Sequence, residues 1–396
     1  MTELGFAAFD ADQHYYEAED AFIRHLDPRM QKRCMQWAEI DGKKRLIVGG
    51  RINRFIPNPT FDPVARPGCL DSYFRAKTSA KDMREAFGRL EPISPYYRDH
   101  EARLHSLDEQ GVAGCFLFPT LGVGMEAALE HDLPAMNAAF RAFNRWLEDD
   151  WGLNFHDRIF AAAYISLADV DWAVEELEWA LEHDARIINI RASSVISADG
   201  RRSLGHPLHD RFWQLVNDSG ITVCIHSGDA GYGFMLDHWG QDSEFESFRY
   251  SPLRSLLTMS PISDAIASLI AEGVFARFPN LRVATIESGS EWVGPLFKKM
   301  KKAFGQHAYA FAEDPLQTFR NRVWVSPYYE DDLTGLRDMI GADHILFGSD
   351  WPHAEGLPNP VDFVHDLKGF SADEIRLIMR DNALGLVQRK GALTAA

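Results

Sequence analysis

The stretch "FDADQHYYE", residues 9–17, is an unusual way to begin a buried strand. Phe9 and Ala11 suit an apolar interior, yet Asp10, Asp12 and His14 alternate through the same run. Residues two apart in a strand project to the same side. A strand here would place two carboxylates and an imidazole on one face within the first fifteen residues. Buried charges are costly unless they are paired or hold a metal, so the stretch points to a polar centre inside the fold.

Outward from it, short apolar runs recur: "GFAAFDADQH" (5–14), "AGCFLFP" (113–119), "RIFAAAYIS" (158–166), "RIINIRA" (186–192), "ITVCIHS" (221–227), "LRVATIES" (281–288), "RVWVSP" (322–327) and "HILFGSD" (344–350). Continuous apolar runs suit strands of a parallel sheet buried on both faces. Stretches such as "DVDWAVEELEWALEHD" (169–184) and "HDRFWQLVNDSG" (209–220) lie between them and carry apolar residues at helical spacing. Gly220 supplies a helix stop before the next strand. Eight such units predict an α/β protein, a distorted (β/α)8 TIM barrel forming one domain over residues 1–396. An open doubly wound sheet is the alternative. Two connections, 15–96 and 228–280, exceed a simple crossover. Long loops in compact domains are usually functional, and both follow strands, so they are expected to cap the site.

The 396 residues are 46% apolar and 12% aromatic, a globular composition. Formal charge is −17, from 41 basic against 58 acidic residues. An acidic chain repels phosphate, which argues against nucleic acid and anionic membrane as partners. The local exception, "FKKMKKAF" (297–304), fits the solvated face of a helix packed through Leu296, Phe297, Met300 and Phe304. Four cysteines, Cys34, Cys69, Cys115 and Cys224, show no C-x-x-C spacing. They favour a reduced, intracellular protein, with Cys115 and Cys224 in the core. "MTELGFAAFDAD" has no basic n-region and no long apolar h-region, so a cytoplasmic location is expected. The run "GVAGCFLFPTLGVG" is too short and too rich in glycine to span a bilayer.

Polar groups stand at the ends of four predicted strands: Asp12 and His14 on the first, His226 on the fifth, Glu287 on the sixth and Asp350 on the eighth. In a closed barrel these ends converge on one mouth. Two imidazoles and two or three carboxylates make a suitable ligand set for a divalent cation. Taken singly each has a plainer explanation. Asp12 or Glu287 could cap a helix, His14 could be a satisfied core histidine, and Asp350 could shape a turn. Their coincidence on separate strands favours a metal.

The motifs "DADQH" (10–14), "IHSG" (225–228) and "FGSDWPH" (347–353) resemble those of the amidohydrolase superfamily, and more narrowly the amidohydrolase-2 group. That group includes aminocarboxymuconate-semialdehyde decarboxylase and related aromatic-acid decarboxylases. The resemblance implies a barrel with one divalent metal, Zn or Mn with Mg as a further possibility, held by Asp12, His14, His226 and Asp350. The group's first-strand pattern is His-x-His; Asp12 in the first place makes the ligand set harder and moves its preference toward Mn²⁺ or Mg²⁺. The group's sixth strand usually ends in histidine, and this chain has Glu287, which could be a ligand, a general acid/base or a cap.

The chemistry implied is non-oxidative decarboxylation of a small aromatic or unsaturated carboxylic acid by a metal-dependent carboxy-lyase. Metal-dependent hydrolysis of a C–N, C–O or C–C bond is the alternative, and a catalytically inactive binding protein is a third. Catalytic candidates are Asp350 and Glu287 as proton carriers, Arg191 to grip a substrate carboxylate in bidentate fashion, and His353 to orient Asp350 or the substrate. The resemblance also implies a homodimer or larger assembly.

Overall fold

The computed structural model describes residues 4–242, 251–257 and 259–388. Parts of the expected domain and of the 228–280 insertion (1–3, 243–250, 258 and 389–396) lie outside the described residues.

All the predicted strands line one parallel ring. The first strand, Ala8–Tyr15, pairs with the second, Val112–Pro119, and that with the third, which runs as Ile159–Ala161 and then Ala163–Tyr164. Ala163–Tyr164 pairs with the fourth strand, Ile187–Arg191, and pairing continues to the fifth, Thr222–His226, the sixth, Arg282–Ile286, and the seventh, Val323–Val325. Residues 345–351 close the circle. Parallel bridges join Ile345 to Val325 and Trp351 to Gln13. Backbone bonds from Leu346 N to Val325 O, Ala11 N to Phe347 O and His14 N to Trp351 O tie both sides. The fold is the expected barrel; its eighth member is a bridged segment rather than a regular strand.

Within this segment, Gly348 sits in tight quarters. A Cβ there would lie 2.5 Å from Ser326 Oγ and 2.7 Å from the Asp12 Cβ. The chain must be bare at this point to pass behind Asp12. Gly348→Ala should therefore destabilise the protein by about 1–3 kcal/mol and loosen Asp12, which thermal unfolding with and without added metal will report.

Helices cover the ring. His100–Gln110 begins under a cap in which Asp99 accepts from Ala102 N, and Val170–Glu182 under Asp169, which accepts from Trp172 N. Asp210–Ser219 stops at Gly220, whose φ of 68° is left-handed, as its place in the sequence predicted. In Val293–His307, Leu296, Phe297 and Met300 are buried, Phe304 is half-buried and the four lysines point to solvent. Cys115 and Cys224 are buried and all four cysteines are free. No helix among the described residues is long and apolar enough to cross a membrane.

The barrel interior is packed with Phe9, Ala11, Phe116, Phe118, Cys224, Ala284, Ile286 and Leu346. The first long insertion carries a three-stranded antiparallel sheet over Met35–Ile40, Lys43–Val48 and Arg51–Ile52. It is fastened to loops that follow barrel strands. Gly68 N bonds His353 O, Leu70 N bonds Ala354 O, and the Phe61 ring lies 4.6 Å from that of Tyr16.

Candidate metal centre

The first strand is bulged. Asp10 stands opposite Cys115 and Gln13 opposite Leu117, so three steps on one strand meet two on the other. A bulge re-aims the side chains beyond it. Below it Phe9 and Ala11 face the interior; above it Asp12 and His14 turn into the mouth. Asp10 is thereby separated from them, contrary to the plain alternation of the sequence. Its carboxylate accepts from Gln13 Nε2, Ser349 Oγ, Ser349 N and Asp12 N, while Gln13 Oε1 takes Arg103 Nη1 from the covering helix. Burial, only partly offset by those bonds, pushes Asp10 up to about 7. Asp10 is a strut between the first and eighth strands.

At the mouth, the His14 Nε2 lies 3.3 Å from Asp12 Oδ1, 3.3 Å from Asp350 Oδ1, 3.7 Å from Glu287 Oε2 and 3.1 Å from His226 Nε2. The His226 Nε2 lies 3.4 Å from Asp12 Oδ1 and 3.2 Å from Glu287 Oε2. Hydrogen-bond accounting identifies what these atoms present. His14 Nδ1 is 3.2 Å from Pro119 O, and His226 Nδ1 is 2.7 Å from Ser227 O. A carbonyl only accepts, so each Nδ1 carries a proton, and each Nε2 offers a lone pair whenever its ring is neutral. Two lone pairs 3.1 Å apart, beside the Asp12 Oδ1 that is buried without a hydrogen-bond partner, are repulsive until a cation stands among them. The donor set therefore fits a divalent ion: one ligand atom each from Asp12, His14, His226 and Glu287 lies within 4.8 Å of the others, and His14, Glu287, Asp350 and His353 form an overlapping group. Carbonyl bonds to the second ring nitrogen are also how proteins orient metal-binding histidines.

Exposure grades across the set. The His14 and His226 side chains are 1% exposed and Asp12 3%, whereas Asp350 is 12% and Glu287 21% exposed. The two carboxylates nearest solvent also have strained backbones, with φ of 47° at Glu287 and 57° at Asp350. Tyr328 Oη donates to Glu287 O. Burial, reinforced by Asp350, pushes the Glu287 carboxyl well above the ordinary range. Burial, reinforced by Glu355 and Asp12, does the same to Asp350. Burial also opposes the Asp12 carboxylate, but the neighbouring His14 and His226 imidazoles, 3.3 and 3.4 Å away, outweigh it and hold it far down. In the absence of an ion, the surroundings favour the ionised form of Asp12 and the protonated forms of Glu287 and Asp350.

His353 completes the set from beyond Asp350. Its Nδ1 is 2.6 Å from Asp350 Oδ1 and its Nε2 is 2.9 Å from Thr120 Oγ1. The Thr120 hydroxyl gives its hydrogen to Tyr15 O, so His353 Nε2 must donate to it. A proton therefore also lies between His353 Nδ1 and Asp350 Oδ1, whichever of the two formally owns it.

The structure thus brings together Asp12, His14, His226, Glu287, Asp350 and His353. Arg191 is elsewhere engaged. Its Nε donates to Asp229 O, its Nη1 lies 3.5 Å from Glu130 Oε2, and a Cβ on Gly231 would be 2.4 Å from its Nη2. It clasps the loop after the fifth strand. Sequence patterning overlooked Thr120, one residue past the second strand, and Glu355, which stands within electrostatic reach of His353, Asp350, Asp12 and Glu287. Glu355 falls only two residues after the "DWPH" motif, and that proximity was the available clue.

The family model described as amidohydrolase matches residues 98–389, more than half of the chain. An amidohydrolase from Mycobacterium avium subsp. paratuberculosis is 43% identical over 97% of this chain and 99% of that one, with a TM-score of 0.92. The fold is shared at greater distance with a dihydroxybenzoic acid decarboxylase from Polaromonas, solved with manganese and 2-nitroresorcinol. That protein is 18% identical over 83% of this chain and 94% of that one, with a TM-score of 0.58. It is shared too with a manganese-bound 5-carboxyvanillate decarboxylase from Novosphingobium aromaticivorans, 16% identical over 97% of both chains, with a TM-score of 0.56.

Proposed function

Since the chain belongs to the amidohydrolase family, we propose that it is a divalent-metal-dependent carboxy-lyase that releases carbon dioxide from a small aromatic or unsaturated carboxylic acid. One observation carries the proposal: the Glu287 carboxyl, whose buried surroundings favour its protonated form, stands 3.2 Å from His226 Nε2 and is more exposed than Asp12, His14, His226 or Asp350.

Asp12, His14, His226 and Asp350 would hold the ion. When bound, it supplies Lewis acidity to a substrate oxygen and charge for the substrate carboxylate. Glu287 gives its proton to the ring or olefinic carbon that bears the carboxylate. The bond to the carboxylate carbon then breaks, its electron pair returns to the substrate, and carbon dioxide leaves. Solvent at the mouth restores the proton to Glu287. Asp350 and His353 hold their shared proton beside the reacting group, fixed by Thr120. The described parts of segments 15–96 and 228–280 would limit water at the mouth; the first is anchored to the loop that carries His353, and Arg191 clasps the second through Asp229 O.

Hydrolysis is the second possibility, favoured by the Asp350–His353 pair, which could accept a proton from an attacking water. The deciding assay reconstitutes the protein with Mn²⁺, Zn²⁺ or Mg²⁺ and measures carbon dioxide release from hydroxybenzoates and unsaturated acids. Release from any of these supports the carboxy-lyase; no release, together with cleavage of an amide or lactone panel, overturns it.

A further inference from the structure

Glu287 holds a backbone conformation that most residues avoid, and the neighbouring loop is built around it. Its φ of 47° is left-handed, a conformation that persists in such a residue when the surrounding structure over-determines it. On the fifth-strand side, Ser227 N donates to Ile286 O. On the seventh-strand side, Tyr328 Oη donates to the carbonyl of Glu287 itself at 2.9 Å. Tyr328 follows the strand Val323–Val325, so its side chain reaches back across the gap between two strand ends.

Asp331 ties the same two loops. One carboxylate oxygen, Oδ2, accepts from Ser290 N at 2.6 Å, Ser290 Oγ at 2.8 Å and Tyr328 N at 3.1 Å. Gly289 lies between these anchors. Its φ is 59°, and a Cβ there would lie 2.8 Å from two carbons of the Tyr328 ring and 3.4 Å from Asp331 Oδ2. The bare backbone at Gly289 lets the ring rest against the turn. Trp292 Nε1 donates to Gly289 O at 2.9 Å and holds the turn from its own helix.

All these bonds act on the backbone of 287–290. The Glu287 carboxyl itself lies 3.2 Å from His226 Nε2 and 3.7 Å from His14 Nε2, and among the described residues it has no other ion-pair partner. Its aim is therefore set by the turn that carries it. Aim matters for an acid that must meet a substrate carbon, since a misplacement of about 1 Å can cost about a hundredfold in rate.

We propose that Tyr328 and Asp331 are positioning residues that hold the strained turn at Glu287 and so direct its proton to the substrate carbon, an inference that rests on the carboxy-lyase proposal. Neither transfers the proton; both act through Glu287.

The test compares Tyr328→Phe and Asp331→Ala with the parent, each loaded with Mn²⁺. Tyr328→Phe deletes one oxygen and keeps the ring against Gly289, so it serves even if Asp331→Ala fails to fold. Hydrogen–deuterium exchange of the 287–290 amides should be about tenfold faster in the variants. On an acid that the parent decarboxylates, kcat should fall about ten- to a hundredfold, with KM and metal content little changed. The solvent deuterium isotope effect on kcat should rise, because proton delivery becomes the slower step. A role confined to stability would leave kcat per metal-loaded folded chain, and its isotope effect, unmoved. Unchanged exchange in Tyr328→Phe, or faster exchange with unchanged kcat and isotope effect, overturns the inference and leaves the carboxy-lyase proposal standing. A parent protein that releases no carbon dioxide from any acid overturns the carboxy-lyase proposal, and the exchange result then decides by itself whether Tyr328 and Asp331 hold the turn.

Discussion

Replacing Asp350 by asparagine is expected to reduce turnover by about a thousandfold or more while the chain keeps its fold. The conservation of fold follows from local geometry. Asp350 sits at a φ of 57°, and asparagine tolerates the left-handed region better than most residues. Its amide can still bond His353 Nδ1, whose other nitrogen remains tied to Thr120. What the substitution removes is an ionisable carboxyl 3.3 Å from His14 Nε2 and the proton it shares with His353. Circular dichroism should match the parent protein, and steady-state rates on whichever acid is turned over should collapse. Undiminished activity in the variant would remove Asp350 from the chemistry and, with it, the proposed ligand set.

Chelation should have the second large effect. The purified protein is expected to carry about one divalent ion per chain, and His226→Ala to lose it, since that change deletes one of the two facing lone pairs. Binding to the folded state alone stabilises by about 4 kcal/mol when free ligand is a thousandfold above Kd. The metal-free chain should therefore melt several degrees lower.

The gap should also widen with pH. Glu287 and Asp350 hold protons in the metal-free folded state because burial and neighbouring acids push them up, whereas in the unfolded chain both are ionised above about pH 4. His226 is also raised, because Asp12 and Glu287 outweigh its burial. Each of these groups binds more proton folded than unfolded. The stability they contribute is present at low pH and lost as pH rises. His14, which burial and His353 push down, acts in the opposite sense below about pH 6.5, so the comparison belongs above that value. Melting of chelated and metal-loaded protein between about pH 6.5 and 8 checks this. A gap that does not change with pH, or a chain that holds no metal after reconstitution, would contradict the centre described above.

Much of this architecture was legible in the linear chain. Apolar runs such as "ITVCIHS" and "LRVATIES" were readable as strands because a parallel sheet is buried on both faces and tolerates few polar residues within it. Polar groups at the ends of such runs, His226 and Glu287, stood out for the same reason. Helix limits at Asp169 and Gly220 were local matters of capping and left-handed backbone, and local chemistry is written in local sequence.

Other features depended on distant residues. Asp10 looked equivalent to Asp12 and His14 by period, but the bulge against Cys115–Leu117 turned it away, and a bulge is a property of two strands rather than one. Arg191 ended a strand as a ligand-gripping residue would, yet Asp229 and Glu130 claimed it from loops after the fifth and second strands. The eighth strand is a bridged segment, and Ser326 and Asp12 leave no room for a side chain at Gly348. Residue type, period and caps by themselves pointed to the eight units, the barrel and the polar groups gathered at its mouth. Only the tertiary structure decided which nitrogen of each histidine faces the centre and where the shared proton of Asp350 and His353 lies. Hydrogen-bond direction and electrostatic neighbours are set by groups that the fold brings together from across the chain.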